Sequence, residues 1–272
     1  MGEPWLITGE MHQSLCKIVD AHITGSAHDA GGIVEAYSNA NGNNGGSVDA
    51  FVRMGNIAVI SVQGVIGKHI GYYERCSGVM DVDDIERGFV DAENDDSIDG
   101  ILLDISTPGG TVTGVPEVAA VVARVNESKP VVSFCDTNMC SAGYWLGAGS
   151  TAIVATGSAS IGSIGVYAAW LDVSRHYEMQ GMKREVAKVG KFKAAGLPGL
   201  SLTDEQRALL EARVVEIAGW FKGFVSEHRN VAAEVMEGQS FYGVEAAANG
   251  LIDSVGGRDD AIELLESLIK MK

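Results

Sequence analysis

The sequence has no apolar run long enough to cross a bilayer: its longest stretches are broken by glycine or charge well before the ~18 residues that a spanning helix needs. A membrane partner is therefore not expected. The opening Met1-Gly2-Glu3-Pro4-Trp5-Leu6-Ile7 lacks a basic stretch followed by an apolar core, so no signal peptide is expected either. Cysteine is scarce, and Cys16, Cys76, Cys135 and Cys140 show neither metal-ligand spacing nor a paired framework. That excludes a disulfide scaffold and a thiolate zinc site, and it fits a reducing compartment. Positive charge is short as well: 20 Lys and Arg against 36 Asp and Glu leave a net charge of −16. Phosphate backbones repel such a chain, so nucleic acid is not expected as a partner. The histidines sit in no motif. His176 and His228 fall in charge-rich predicted helices, His12, His22 and His28 precede a low-complexity segment, and His69 follows a strand without an evident carboxylate partner.

What is present is a chain of 272 residues with 46% apolar content, ample for a packed core. Residues 1–37 read as a helical lead-in, with Leu15, Ile18, Val19 and Ile23 near helical spacing. Residues 38–50 contain Ser38-Asn39-Ala40-Asn41-Gly42-Asn43-Asn44-Gly45-Gly46-Ser47, whose side chains bury too little to offset ordering entropy, so a flexible linker is predicted. The body is residues 51–272. Ile57–Val62, Gly100–Ile105, Lys129–Phe134 and Ala152–Ala155 are short apolar runs of buried-strand type. Helices are predicted over Asp81–Ala92, Val115–Val125 and Ser141–Gly149 between them. Alternation of this kind predicts an α/β fold with βαβ crossovers and a mainly parallel sheet. A long helix opening at Thr203-Asp204-Glu205-Gln206, then helices over Phe241–Ala248 and Asp259–Ile269, predict a helical C-terminal part.

Three segments carry candidate chemistry. Ser141 lies in Asn138-Met139-Cys140-Ser141-Ala142-Gly143-Tyr144, at the start of a small-residue helix whose free N–H groups and positive dipole end point at it. A serine hydroxyl needs a base to take its proton. Gly109 and Gly110 follow an apolar strand, and a Pro-Gly-Gly turn at the carboxyl end of such a strand can present N–H groups to an oxyanion. Lys193 sits in Val189-Gly190-Lys191-Phe192-Lys193-Ala194, an apolar setting; burial favours the neutral amine that a base requires. Strand alternation would turn Lys191 and Lys193 to the same side and does not separate them. Ser163, in Ile161-Gly162-Ser163-Ile164-Gly165-Val166, is either a turn serine or the third group that orients a neutral lysine. Cys140 reads as a small packed residue, with its side chain directed away from that of Ser141.

Taken in order, these motifs resemble the signal peptide peptidase A family of Ser-Lys peptidases. The likeness spans roughly residues 55–270 and includes Gly238-Gln239-Ser240-Phe241-Tyr242-Gly243 and Gly250-Leu251-Ile252-Asp253. Ser106-Thr107-Pro108-Gly109-Gly110 and Cys140-Ser141-Ala142-Gly143 are most similar to the head-maturation proteases of tailed phages. The resemblance implies a Clp-protease/crotonase-like fold and homo-oligomers. It implies Ser141 as nucleophile, Lys193 as base, Ser163 as its orienting hydroxyl, and the N–H groups of Gly110 and Ala142 as oxyanion donors, with Gly109 shaping the turn. No cofactor and no metal is implied. The expected substrates are scaffold and capsid polypeptides, and the expected place is the host cytoplasm within the procapsid. Three rivals share some of these features: a bacterial signal peptide peptidase without its anchor, a crotonase-type acyl-CoA enzyme, and a catalytically silent capsid-binding protein.

Overall fold

The computed structural model describes residues 5–7, 50–71, 74–75 and 77–272. In chain order the first strands are β1 (Trp5–Ile7), β2 (Val52–Met54), β3 (Ile57–Gln63), β4 (Val65–Gly67) and β5 (Val79–Asp81). Helix α1 (Val82–Asn94) leads to β6 (Gly100–Ser106) and β7 (Gly109–Thr111), and α2 (Val115–Ser128) to β8 (Val131–Cys135) and β9 (Asn138–Cys140). Next come α3 (Ala142–Ala148), β10 (Ala152–Ala155), β11 (Ser160–Gly162), α4 (Ser174–Met179) and the long α5 (Asp204–His228). The chain closes with β12 (Ser240–Tyr242), α6 (Gly243–Ala248), β13 (Ser254–Val255) and α7 (Arg258–Met271).

The apolar runs assemble into a six-stranded sheet of order β13-β10-β8-β6-β3-β2, parallel except for the β2–β3 pair. Side chains alternate across it. Ala58, Ile60 and Val62, with Ile101, Leu103 and Ile105, join Val82, Ile85 and Phe89 of α1 and Val118 and Val122 of α2 in one core. Ile57, Val59 and Leu102 face the other way, onto Ala261 and Leu265 of α7. A sheet covered on both faces needs apolar residues at every position, which is why the strands read as unbroken runs. Helix α1 starts at Asp81, whose carboxylate accepts the Asp83 N–H, and α5 starts with a capping box between Thr203 and Gln206.

Two small sheets frame the candidate site, of orders β1-β7-β4-β5 and β12-β11-β9. Both contain elements that sequence periodicity does not reveal. Trp5–Ile7, inside the expected helical lead-in, is a strand; the rest of that lead-in and the linker up to residue 49 lie outside the described residues. Ser240–Tyr242 is also a strand, so the helix expected from Phe241 begins at Gly243 instead. Antiparallel pairing with β11 extends this segment. The turn into α6 passes so close to Thr156 that a Cβ on Gly243 would stand 2.2 Å from the Thr156 carbonyl oxygen.

Candidate active site

Ser141 stands between β9 and α3 with φ 52° and ψ −115°. L-residues rarely adopt that conformation, and holding one there costs about 1–3 kcal/mol. Neighbouring strands impose it. The Ser141 N–H donates to the Gly162 carbonyl at 2.7 Å, the Cys140 N–H donates to the Thr107 carbonyl at 3.2 Å, and the Thr107 N–H donates to the Asn138 carbonyl at 2.7 Å. The Ser141 carbonyl then accepts the Trp145 N–H at 2.9 Å, which starts the helix. Gly143 lets that helix close onto the preceding turn, since a Cβ there would lie 2.3 Å from Thr107 Cγ2. Ser141→Gly should relieve the backbone strain, raising stability by about 1 kcal/mol and Tm by about 2–4 °C. Thermal unfolding checks this; an unchanged or lower Tm would show that the turn is not strained.

Thr107, fully buried, organises the glycine pair. Its Oγ1 donates to the Gly64 carbonyl at 2.5 Å and accepts the Gly109 N–H at 3.1 Å. Gly109 has φ +112°, a value that favours glycine, and its N–H is already engaged. The sequence signal for this role is slight: a polar side chain directly before a Pro-Gly-Gly turn that has to be held. Gly110 follows in β7, packed against Ile66 of β4 so tightly that a Cβ would sit 1.9 Å from the Ile66 carbonyl oxygen. Ala142, the first residue of α3, has an N–H without an intrahelical acceptor.

Ser163 leaves β11 as Ser141 leaves β9. The two strands are parallel with Gly162 opposite Cys140, so the serines emerge side by side, on strands about 4.8 Å apart. Ser163 also has φ 52°, and its N–H donates to the Gln239 carbonyl at 2.6 Å. The fold thus gathers Ser141, Ala142, Ser163, Gly109 and Gly110 into one place.

Lys193 is different. Its segment forms a turn, not a strand, so the alternation considered for Lys191 and Lys193 does not apply. Nor is it buried in an apolar setting: within the single chain Lys193 is exposed, in a loop that lines a cavity of about 670 Å³ with Leu209 and Arg213 of α5. The loop is fastened through other groups. Lys191 pairs with Glu205 at 2.9 Å, Gln206 Nε2 donates to the Lys191 carbonyl at 2.8 Å, and Lys188 Nζ donates to the Lys193 carbonyl at 3.2 Å.

Alternative groups fare as follows. Cys140 is buried, its Sγ lies 3.4 Å from the Ser160 carbonyl, and burial pushes its thiol up, away from the reactive thiolate. Burial pushes Cys135 up to about 12. His69 does have a carboxylate partner, contrary to the sequence reading: Nδ1 lies 3.0 Å from Asp83 Oδ2, with Lys68 at 2.7 Å from the same carboxylate. Asp83 comes from the start of α1, which sequence distance conceals. Among the described residues no group of three or more His, Cys, Asp or Glu is placed to hold a metal, and no helix is long and apolar enough to cross a membrane.

A parallel α/β sheet that presents a strained serine beside a diglycine strand is an arrangement suited to acyl transfer. Residues 123–272 match peptidase family S49, and the chain belongs to that family. It is 32% identical over 219 residues to the capsid assembly protease C of Escherichia phage lambda, covering 79% of this chain and 50% of that protein. It is 29% identical to the head-tail preconnector protein GP5 of Enterobacteria phage P21, over 78% of this chain and 43% of that protein. A putative signal peptide peptidase SppA of Enterococcus faecium is 28% identical over 66% of this chain and 54% of its own length. The chain thus spans about half the length of these curated relatives. Among solved structures, an enoyl-CoA hydratase/isomerase family member covers 81% of this chain and 74% of its own at 14% identity and a TM-score of 0.41.

Proposed function

We propose that this chain is a serine endopeptidase that works with a Ser-Lys pair and cleaves scaffold and capsid polypeptides during phage head maturation. The observation that carries the reading is the forced backbone of Ser141, whose N–H donates to the Gly162 carbonyl while the preceding Cys140 N–H donates to the Thr107 carbonyl. Natural chains keep such strain where chemistry needs it. In this reading Ser141 Oγ attacks the peptide carbonyl carbon while Lys193 Nζ, neutral, takes the hydroxyl proton. The N–H groups of Gly110 and Ala142 hold the oxyanion, each such donor contributing about 3 kcal/mol. Collapse expels the amine, which receives the proton from Lys193, and water hydrolyses the acyl-enzyme by the same path. Ser163 orients Lys193.

Lambda C and P21 GP5, each matched over nearly four-fifths of this chain, support the phage setting and hence the host cytoplasm and procapsid as the place of action. Homo-oligomers are part of the proposal. Leu171, Met179 and Val189, between β11 and α5, are more than three-quarters exposed, and apolar side chains left this open gain from a partner surface.

Co-expression with candidate capsid and scaffold proteins, followed by intact-mass measurement, tests the reading. Shortened partners are expected with the parent chain and none with Ser141→Ala. Uncut partners in both cases would reject the maturation role, and cleavage surviving Ser141→Ala would reject the nucleophile.

A further inference from the structure

Strand β7 has two edges. One pairs with β4, with Ile66 opposite Gly110; the other is taken by β1 from the extreme N-terminal part of the chain. The pairing is antiparallel, Trp5 opposite Thr111, Leu6 opposite Gly110 and Ile7 opposite Gly109. This edge belongs to the turn that holds Ser141, because the Thr107 hydroxyl accepts the Gly109 N–H while the Thr107 carbonyl accepts the Cys140 N–H. A polypeptide bringing its carbonyl to Ser141 and Gly110 would run along this edge, pairing as an added strand.

We propose that β1 is an intramolecular occupant of the peptide-binding edge of β7, which an extended polypeptide substrate has to displace. The inference rests on the peptidase reading for what displaces β1, but the occupancy stands on the strand pairing alone. Three features make β1 exchangeable. It is three residues long, at the lower limit for a strand. Thr111 Oγ1, on the strand it covers, is buried without a hydrogen-bond partner among the described residues, so the seat is imperfectly satisfied. Its hold is intramolecular, which gives it an effective concentration on the order of millimolar. A substrate concentrated inside a closed particle competes with that; a passing cellular protein at micromolar level does not. The occupant thereby restricts cleavage to crowded substrate. The rival meaning of β1 is a passive cover that keeps an exposed strand edge from aggregating.

The test uses the full chain. Antiparallel pairing turns alternate N–H groups toward the neighbour, so Leu6→Pro with Ile7→Pro removes one donor facing β7 whichever set it is. The probe is a fluorescein-labelled peptide with the sequence of residues 3–9, and its affinity is measured in the Ser141→Ala background. Binding should be about 10-fold tighter to the proline pair than to the parent, reflecting loss of the tethered competitor. Casein turnover by the Ser141 forms should rise in parallel. Should the proline pair fail a thermal unfolding check, Leu6→Gly with Ile7→Gly takes its place. Equal peptide affinity in both backgrounds overturns the proposal, and unchanged affinity beside normal casein turnover leaves the peptidase reading intact. Tighter binding without turnover by any form supports the occupant and rejects the peptidase reading.

Discussion

Lys193→Met should lower peptide-bond turnover by about 10²- to 10⁴-fold, the contribution typical of a positioned general base. Lys191→Met should change it by no more than about 3-fold, because an exposed ion pair such as the one with Glu205 is worth about 0–1 kcal/mol. The contrast follows from what surrounds each amine. Lys191 Nζ is engaged by Glu205 and lies 5.1 Å from the centre of the Phe192 ring. Lys193 is tied down through its backbone, its N–H donating to the Gly190 carbonyl at 3.1 Å and its own carbonyl accepting from Lys188. Among the described residues no hydrogen bond to Ser141 Oγ is made. In the proposed mechanism Lys193 reaches Ser141 by movement of its exposed loop or from a second copy of the chain. Steady-state turnover of a labelled capsid or scaffold peptide checks this, with melting curves to establish that both variants fold. Activity kept by Lys193→Met and lost by Lys191→Met would assign the base to the other lysine.

The parallel core was legible because its residues are dictated by burial on both faces. Ile57–Gln63 and Gly100–Ser106 keep their polar residues, Ser61, Gln63, Asp104 and Ser106, to their carboxyl halves, and Gly and Asp punctuate the helices between them. Ser141 and the Gly109-Gly110 pair were legible as local chemistry, a hydroxyl and a turn among small residues. Their meeting was not, for it depends on β7, β9 and β11, strands of three residues each that are too short to carry a period. The strand at Trp5–Ile7 was misread as part of a helical lead-in because only its long-range partner, Gly109–Thr111, extends it. Lys193 shows the opposite limit. An apolar neighbourhood in sequence suggested burial, yet Val189 is 94% exposed and Phe192 36% exposed, so those side chains do not enclose the amine in the single chain. Sequence neighbours describe composition; enclosure is a property of three-dimensional packing.

Gly110→Ala should destabilise the chain by about 3 kcal/mol or more and lower Tm by roughly 6–12 °C, at about 2–4 °C per kcal/mol for a domain of this size. The added Cβ would stand 1.9 Å from the Ile66 carbonyl oxygen, 2.6 Å from its carbon and 2.7 Å from the Ile66 nitrogen. All three are backbone atoms of β4, so no side chain can rotate away; the strand itself has to shift. Because β4 also pairs with β5, through Val65 and Val79, the shift would reach Asp81, whose carboxylate caps α1 and accepts the Ile70 N–H at 3.2 Å. Gly219 offers an internal control. It lies within α5, and a Cβ there would meet nothing within 4 Å, so Gly219→Ala should gain about 0.5–1 kcal/mol from helix propensity alone. Calorimetry on both variants therefore predicts shifts of opposite sign. Beyond stability, Gly110→Ala displaces the N–H proposed to hold the oxyanion, so turnover should fall further than the folded fraction does. A Gly110→Ala chain that melts with the parent would mean β4 and β7 do not approach as closely as Gly110 permits, and the oxyanion strand would then have to be sought elsewhere.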